Sequence, residues 1–312
     1  MYMQEGPAPI APRSGARAPS GWRSWTMASR PHTLTIGVNP VLVGCSLAWA
    51  QTGRIDIPLM LWSMLGAFLL QTGTNLDNDV SDFQRGTDRA GRLGLPRATA
   101  LGLLTERQVR IASIGCFALA TVIGLMLAWR GGWPILVAGI ASAAAAMAYS
   151  GGPRPISYTP FGDFVVWLFF GLVAVSGSYW LQTLTLSPGV LVAATMVGLP
   201  AAAVLVVNNY RDLDPDRVVG KRTLAVCFGR RFTRWQYAVL VIAPFVLLGP
   251  LALATHVGAA MLVPLLALPM AIDLVRRFWR EAPGPAFNPL LAQTAKFQVL
   301  FSTLLCVAIL LD

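Results

Sequence analysis

The chain reads as an all-α polytopic membrane protein, with nine transmembrane helices around a central cavity that faces the cytoplasm. Three observations predict this. Of its 312 residues 55% are hydrophobic and 12% charged, where a soluble domain carries roughly 25% charge. Nine apolar stretches approach the roughly 20 residues that a bilayer-spanning helix needs. Threaded through a membrane, those stretches leave all but Arg54 and Arg130 of the 24 Lys and Arg on one side. Basic loops stay in the cytoplasm, so the expected orientation is N-terminus in, C-terminus out.

The expected spans are 33–51, 57–76, 109–129, 132–150, 161–181, 188–209, 236–254, 256–275 and 294–311. Several hold Pro or Gly, such as Pro40 and Pro200, which membrane helices accommodate because neighbours satisfy the freed backbone groups. The first span follows Arg30-Pro-His-Thr-Leu34, and the second runs into an acidic stretch. The fourth and fifth are parted by a turn rich in Gly and Pro, and the seventh and eighth nearly abut. Two long polar loops are expected, near 77–108 and 210–235. Residues 1–24, rich in Pro, Ala, Gly and Arg, predict a disordered cytoplasmic tail, ahead of a single membrane domain over 25–312. Leu42-Val-Gly-Cys45 and Ala48-Trp-Ala50 imitate processing sites. Both lie late for a signal peptide of about 15–30 residues, so the first span is expected to persist.

Charge and cysteine usage exclude other classes. The net charge of +10 follows from topology and contact with anionic lipid, and calls for no nucleic-acid partner. Cys45, Cys116, Cys227 and Cys306 are scattered without metal-ligand spacing. His32 and His256 are isolated, so neither a zinc site nor a His-based triad is expected.

The acids carry the chemistry. Half of the 14 Asp and Glu sit in two stretches, Asn75-Leu-Asp-Asn-Asp-Val-Ser-Asp82 continuing to Asp88, and Asn208-Asn-Tyr-Arg-Asp-Leu-Asp-Pro-Asp216. Such crowding of like charges is unfavourable unless a cation neutralises it. Oxygen-only ligands suit Mg²⁺, which commonly takes one or two carboxylates and shares substrate phosphates. The stretches begin about 133 residues apart, after the second and sixth spans, which suggests two functionally repeated halves and a ninth helix. Asn78 and Asp82 share a helical face at i, i+4, as do Asn208 and Asp212. Pro215 disfavours helix at Asp214, so the helix ends near Leu213 or restarts at Pro215. Arg85, Arg97, Arg211, Lys221 and Arg222 surround the acids. Acid and base together fit a Mg²⁺–diphosphate complex; surface ion pairing is the plainer alternative.

These residues are similar to those of the UbiA superfamily of intramembrane aromatic prenyltransferases, most like its 1,4-dihydroxy-2-naphthoate branch. The likeness rests on Gln71-Thr-Gly-Thr-Asn75 through Arg85-Gly-Thr-Asp88, Arg97-Ala-Thr-Ala-Leu-Gly102, and Tyr149-Ser-Gly-Gly-Pro-Arg-Pro155 with Tyr158-Thr-Pro-Phe-Gly-Asp163. It rests also on Asn208 through Gly220-Lys-Arg-Thr-Leu224, and on Arg30-Pro-His-Thr-Leu34 before Asn39-Pro-Val-Leu-Val-Gly44. The resemblance implies a nine-helix bundle whose cavity opens laterally to lipid. It implies Mg²⁺ held by Asn78, Asp79, Asp82, Asp88, Asp212 and Asp216, with Asp79, Asp82, Asp212, Asp216 and Lys221 catalytic. Asn75, Asn78, Arg85, Asp88, Arg97, Tyr149, Arg154, Asn208 and Arg222 would bind substrate, Arg154 meeting the acceptor carboxylate. The general family motif has an Asp where this chain has Gly86, as in the naphthoate branch, and Asp88 would take that role. Asp77, His32, Cys227 and Pro215 depart from the family pattern.

The implied reaction is Mg²⁺-dependent transfer from a polyprenyl diphosphate to 1,4-dihydroxy-2-naphthoate, with loss of CO₂, on the way to menaquinone in the cytoplasmic membrane. The long apolar tail explains an enzyme embedded in lipid. Phe161, Trp167, Tyr149 and Tyr179 are candidates to shield an allylic cation, or else pack helices. Other acceptors, namely 4-hydroxybenzoate, homogentisate, a quinolone or haem, remain alternatives within the family. A transporter is the alternative outside it, although transporters gather ionisable groups at the membrane midplane. A membrane phosphotransferase resembles the chain less.

Overall fold

The computed structural model describes residues 21–86, 93–94 and 97–311, apart from the His32 side chain. Among them there is no strand. A short helix, α1 (Gly21–Ser29), precedes α2 (Pro31–Thr52), α3 (Ile57–Gln84), α4 (Glu106–Gly131) and α5 (Trp133–Ser150). The fifth span is composite: α6 (Gly162–Trp167), a π turn (Leu168–Val173) and α7 (Ala174–Thr183). After α8 (Pro188–Arg211) and the short α9 (Leu213–Val218) come α10 (Leu224–Val246) and α11 (Leu248–Thr255). A 3₁₀ segment (Ala259–Ala267), α12 (Leu268–Arg280) and α13 (Phe287–Leu310) complete the chain. Nine membrane-length apolar helical stretches lie among the described residues.

Local chemistry sets the helix ends. Asp56 caps α3 by accepting the Leu59 N–H at 2.9 Å, with Pro58 in the first turn. Thr105 and Gln108 form a reciprocal capping box at the start of α4. Gly53, with φ +64°, closes α2 in the left-handed conformation that its missing Cβ permits. Residues 21–24, expected in the tail, are helical, and α1 tucks Ala28 into a small core with Leu76, Val80 and Ala98.

The helical runs exceed the apolar runs. The second span continues as helix to Gln84 rather than opening into a loop at 77, so the acidic stretch from Asn75 to Asp82 is helical. The seventh begins at Leu224 instead of 236, broken at Gly229 (φ +76°). Hydropathy marks where hydrocarbon ends, whereas the backbone keeps its helical bonds as far as packing supports them.

The most buried span is α8. It crosses the π turn at Gly171 and Gly198: a Cβ on Gly198 would fall 2.7 Å from the Trp167 carbonyl oxygen, and one on Gly171 2.6 Å from that of Ala194. Beside the C-terminus of α8, Tyr210 lies against Phe278 and Phe287, and Tyr237 stacks on Phe278 at 4.1 Å. This aromatic core fixes the helix end that carries the second acidic cluster. The first six spans enclose a cavity of about 690 Å³, to which α10 contributes Leu224 and α13 Leu291.

Candidate active site

Both acidic clusters reach this cavity, though only in part. Asn75, Asn78 and Asp82 line it from α3, and Asn208 and Asp212 from the end of α8. Arg30, Arg97, Arg211, Lys221 and Tyr149 line the same region. Farther along, the walls are apolar, with Ile123, Leu127, Ile135, Leu136, Ile140 and Phe169. A charged head and an apolar barrel therefore share one space.

Asp79 has a different position from Asp82. Its carboxylate is 1% exposed and accepts the backbone N–H groups of Ala98 and Thr99 at 3.2 and 3.1 Å. It does not line the cavity; it holds the 97–102 turn against α3. That turn delivers Arg97, which pairs with Asp82. Asn75 is buried and acts as a clamp. Its Nδ2 donates to the Ser29 carbonyl at 2.8 Å and to Thr33 Oγ1 at 2.9 Å, while Gln71 donates to its Oδ1 at 3.2 Å. Arg85 is turned away from the cavity and donates to the carbonyls of Ser150 and Gly152, closing the end of α5. Asp77 lies behind the cavity wall, near Gly151. Asp88 lies outside the described residues.

In the second half the helix breaks at Asp212 (φ −96°, ψ 11°), three residues before Pro215, and α9 restarts at Leu213. Arg211 is 3% exposed and its Nε and Nη2 chelate Asp212 at 2.8 and 2.6 Å. The same guanidinium donates to Asn208 Oδ1 and Asn288 Oδ1, both at 2.6 Å. Asp216 lies outside the cavity lining and pairs with Lys221 at 3.0 Å. Burial pushes the Asp216 carboxyl up from the usual carboxylate range, against the pull of Lys221. Burial also works against the Lys221 ammonium, yet Asp216 and Asp82 outweigh it and hold its pKa above the ordinary lysine value. Asp214 pairs with Arg230 on the surface at 2.6 Å. Arg154 and Arg222 are exposed and do not line the cavity.

Tyr158 joins the halves. Arg85 and Lys221 lie 5.3 and 5.0 Å from its ring centroid, and its carbonyl accepts the Arg222 N–H at 2.9 Å. Of the four aromatic candidates Tyr149 alone faces the cavity. Phe161 is 66% exposed, Trp167 packs on Phe164, and Tyr179 is buried in the core. Their places in the wall are taken by Phe169 and Phe170 of the π turn, a register shift that apolar periodicity does not reveal. Two residues of the stretches quoted from the sequence carry no role in that reading, Asp163 and Arg30. Asp163 accepts from Asn209 at 3.1 Å and Gln236 at 2.8 Å, tying three spans together. Arg30, at the α1–α2 corner, faces the cavity without an ion-pair partner among the described residues.

Residues 38–305 match the UbiA prenyltransferase family. The chain belongs to that family. It is 35% identical over 306 residues to 1,4-dihydroxy-2-naphthoate octaprenyltransferase of Escherichia coli K12, covering 93% of this chain and 96% of that protein. The protein of the same name from Mycobacterium leprae is 34% identical over 284 residues, covering 91% and 95%. A solved UbiA homolog from Archaeoglobus fulgidus, bound to DMAPP and Mg²⁺, aligns over 91% of this chain and 99% of its own, with TM-score 0.61 and 18% identity. An apo UbiA homolog from Aeropyrum pernix K1 gives TM-score 0.67 at 14% identity, over 89% and 97%. At those identities the structures establish the UbiA fold.

The family's Mg²⁺ can be tested against the side chains present. No three His, Cys, Asp or Glu among the described residues stand close enough to cage a metal. The donors that the two acidic stretches bring to the cavity lining are instead two carboxylates, Asp82 and Asp212, with the amides Asn78 and Asn208. Asn78 Oδ1 is buried there without a hydrogen-bond partner. An all-oxygen set of this size fits Mg²⁺ that completes its octahedron with diphosphate oxygens and water.

Proposed function

We propose that the protein transfers a polyprenyl group from its diphosphate to 1,4-dihydroxy-2-naphthoate, with decarboxylation. The observation that carries this reading is that Asn78, Asp82, Asn208 and Asp212, from the two acidic stretches, line one cavity whose walls are largely apolar. The acceptor is supported by the naphthoate prenyltransferases that the chain resembles over nine-tenths of its length.

The allylic C–O bond breaks and its electron pair leaves with the diphosphate. Bound Mg²⁺ would supply Lewis-acid neutralisation of that leaving group, held by Asp82, Asp212, Asn78 and Asn208. Arg97, Arg211 and Lys221 ring the same head, and their charges stabilise the departing anion. The isoprenoid tail occupies the apolar barrel, where few water molecules compete for the allylic cation. Tyr149, Phe169 and Phe170 offer π faces to that cation. The ring carbon bearing the carboxylate attacks, and CO₂ departs leaving its bonding electrons to restore the aromatic ring. Asp79, Asp163 and Arg85 act as supports that hold a turn, a helix junction and a helix end in place.

The membrane orientation belongs to this proposal. With the N-terminus in the cytoplasm, both acidic clusters face the side that makes prenyl diphosphates, in the cytoplasmic membrane of a bacterium. The test is transfer by purified protein in detergent, using geranylgeranyl diphosphate, Mg²⁺ and a panel of aromatic acceptors, with EDTA as control. A decarboxylated prenyl product from 1,4-dihydroxy-2-naphthoate is expected. Product from 4-hydroxybenzoate or homogentisate alone would move the enzyme to another acceptor.

A further inference from the structure

The second acidic stretch hangs on one guanidinium. Arg211 is buried and holds Asp212 through Nε and Nη2, and Asn208 through Nη2. Its remaining nitrogen, Nη1, donates to Asn288 Oδ1 at 2.6 Å. Among the described residues Asn288 is the one hydrogen-bond partner of Arg211 outside that stretch. The same amide has a second arm, its Nδ2 donating to the Leu93 carbonyl at 2.9 Å. Leu93 stands four residues before Arg97, which pairs with Asp82. From the ninth span, and from outside the cavity lining, Asn288 therefore joins the loop after the second span to the end of the sixth.

Local structure fixes that bridge. Asn288 lies in the first turn of α13, where a short polar side chain ordinarily caps its own helix. Here both arms reach away to distant residues instead. Phe287 beside it is fully buried, its ring 5.1 Å from that of Tyr210 and 5.4 Å from that of Phe278. The aromatic core thus sets Asn288 next to Arg211, the neighbour of Tyr210. Pro289 restricts the backbone on the other side, in a first turn that tolerates its missing N–H. Chemistry settles the amide's orientation, because the reversed amide would oppose donor to guanidinium and acceptor to carbonyl. A carboxylate of the same shape would repel the Leu93 carbonyl, and an apolar side chain would serve neither partner.

We propose that Asn288 is a positioning residue for the metal site: it anchors Arg211, and through it fixes how Asp212 and Asn208 face Mg²⁺ and the diphosphate. The inference rests on the metal–diphosphate reading above. A ligand carboxylate is oriented by the groups behind it, and losing such a partner typically costs about 10- to 100-fold in metal affinity or activity. Released at Nη1, the Arg211 guanidinium would be held only by the two side chains it is meant to orient. The Leu93 arm sets this assembly against the loop that carries Arg97. The ninth helix, which stands outside the two repeated halves, acquires a task in tying them together.

Asn288→Leu removes both arms while keeping the size of the side chain. Mg²⁺ would be titrated into purified protein in detergent with an unreactive geranylgeranyl thiolodiphosphate, binding being read by intrinsic fluorescence. Steady-state kinetics would be run alongside, each substrate varied in turn. The Mg²⁺ midpoint is expected to rise about 10-fold, the lower end of the range because Asn288 acts through Arg211. The KM for geranylgeranyl diphosphate at fixed Mg²⁺ should rise with it, while that for 1,4-dihydroxy-2-naphthoate stays within about twofold. Asn288→Asp, which keeps an acceptor for Arg211 but no donor for Leu93, should recover part of the loss. A residue that only supports the fold would lower the melting temperature without moving metal binding. An unchanged Mg²⁺ midpoint in Asn288→Leu, an equal rise in both KM values, or an Asn288→Asp protein no better than Asn288→Leu therefore overturns the proposal. Should Asn288→Leu not fold, Asn288→Ala is read in the same way. If the parent protein itself binds no Mg²⁺ with the analogue, the metal–diphosphate reading has failed, a result distinct from these.

Discussion

Replacing Asp79 with Ala separates a structural acid from a reactive one. Asp79 is almost fully buried, and both its oxygens accept backbone N–H groups, from Ala98 and Thr99. Hydrogen bonds to a charged group are each worth about 1.5–3 kcal/mol. Losing two, and stranding two buried amides, should cost about 3–5 kcal/mol, a large part of a typical stability of about 5–15 kcal/mol. At about 2–3 °C per kcal/mol for a large domain, the unfolding midpoint in detergent should fall by roughly 6–15 °C. Transfer should fall as well, because the released turn carries Arg97 away from Asp82. Asp82→Ala provides the contrast. Asp82 lines the cavity, so its removal should abolish transfer with a much smaller thermal shift. Differential scanning fluorimetry and a radiolabelled prenyl transfer assay on both variants measure the two effects. An Asp79→Ala protein that melts with the parent yet transfers nothing would refute the reasoning and return Asp79 to the reactive set.

Other consequences are open to measurement. Asp212→Ala should abolish transfer and, by freeing a buried Arg211 from its bidentate partner, lower stability by about 3–5 kcal/mol; a fully active variant would rule out a site at this end of α8. Tyr158→Leu should raise the KM for prenyl diphosphate about three- to tenfold by loosening Lys221, whereas Tyr158→Phe, which keeps the ring, should behave like the parent. Gly198→Leu should destabilise the fold by more than the usual 1–3 kcal/mol of overpacking, since even a Cβ meets the Trp167 carbonyl, and normal yield and melting would contradict the close crossing of α8 with the fifth span.

Much of the protein is legible along the chain. Nine spans appear because a bilayer demands contiguous apolar residues, a local property. The two acidic clusters stand out because carboxylates are scarce elsewhere, and oxygen donors with nearby bases already indicate a metal–diphosphate site. Pattern alone could not rank the acids. Asp79 and Asp82 are one helical turn apart and chemically identical, and only the returning 97–102 turn consumes the first and leaves the second beside the cavity. The same holds for Arg85, which closes α5, and for Asp216, held by Lys221. Hydropathy likewise understated α3 and α10, whose helices outlast their apolar stretches.

What the sequence by itself determined is the membrane class, the family resemblance and the chemistry of the charged head, all written in residue type and spacing. What only the tertiary structure decided is which groups are already satisfied. Whether Arg30 has a partner, or Asn78 a donor, depends on groups folded in from distant helices. A polar atom's availability is the remainder after all its neighbours have been placed, and no stretch of sequence contains that remainder.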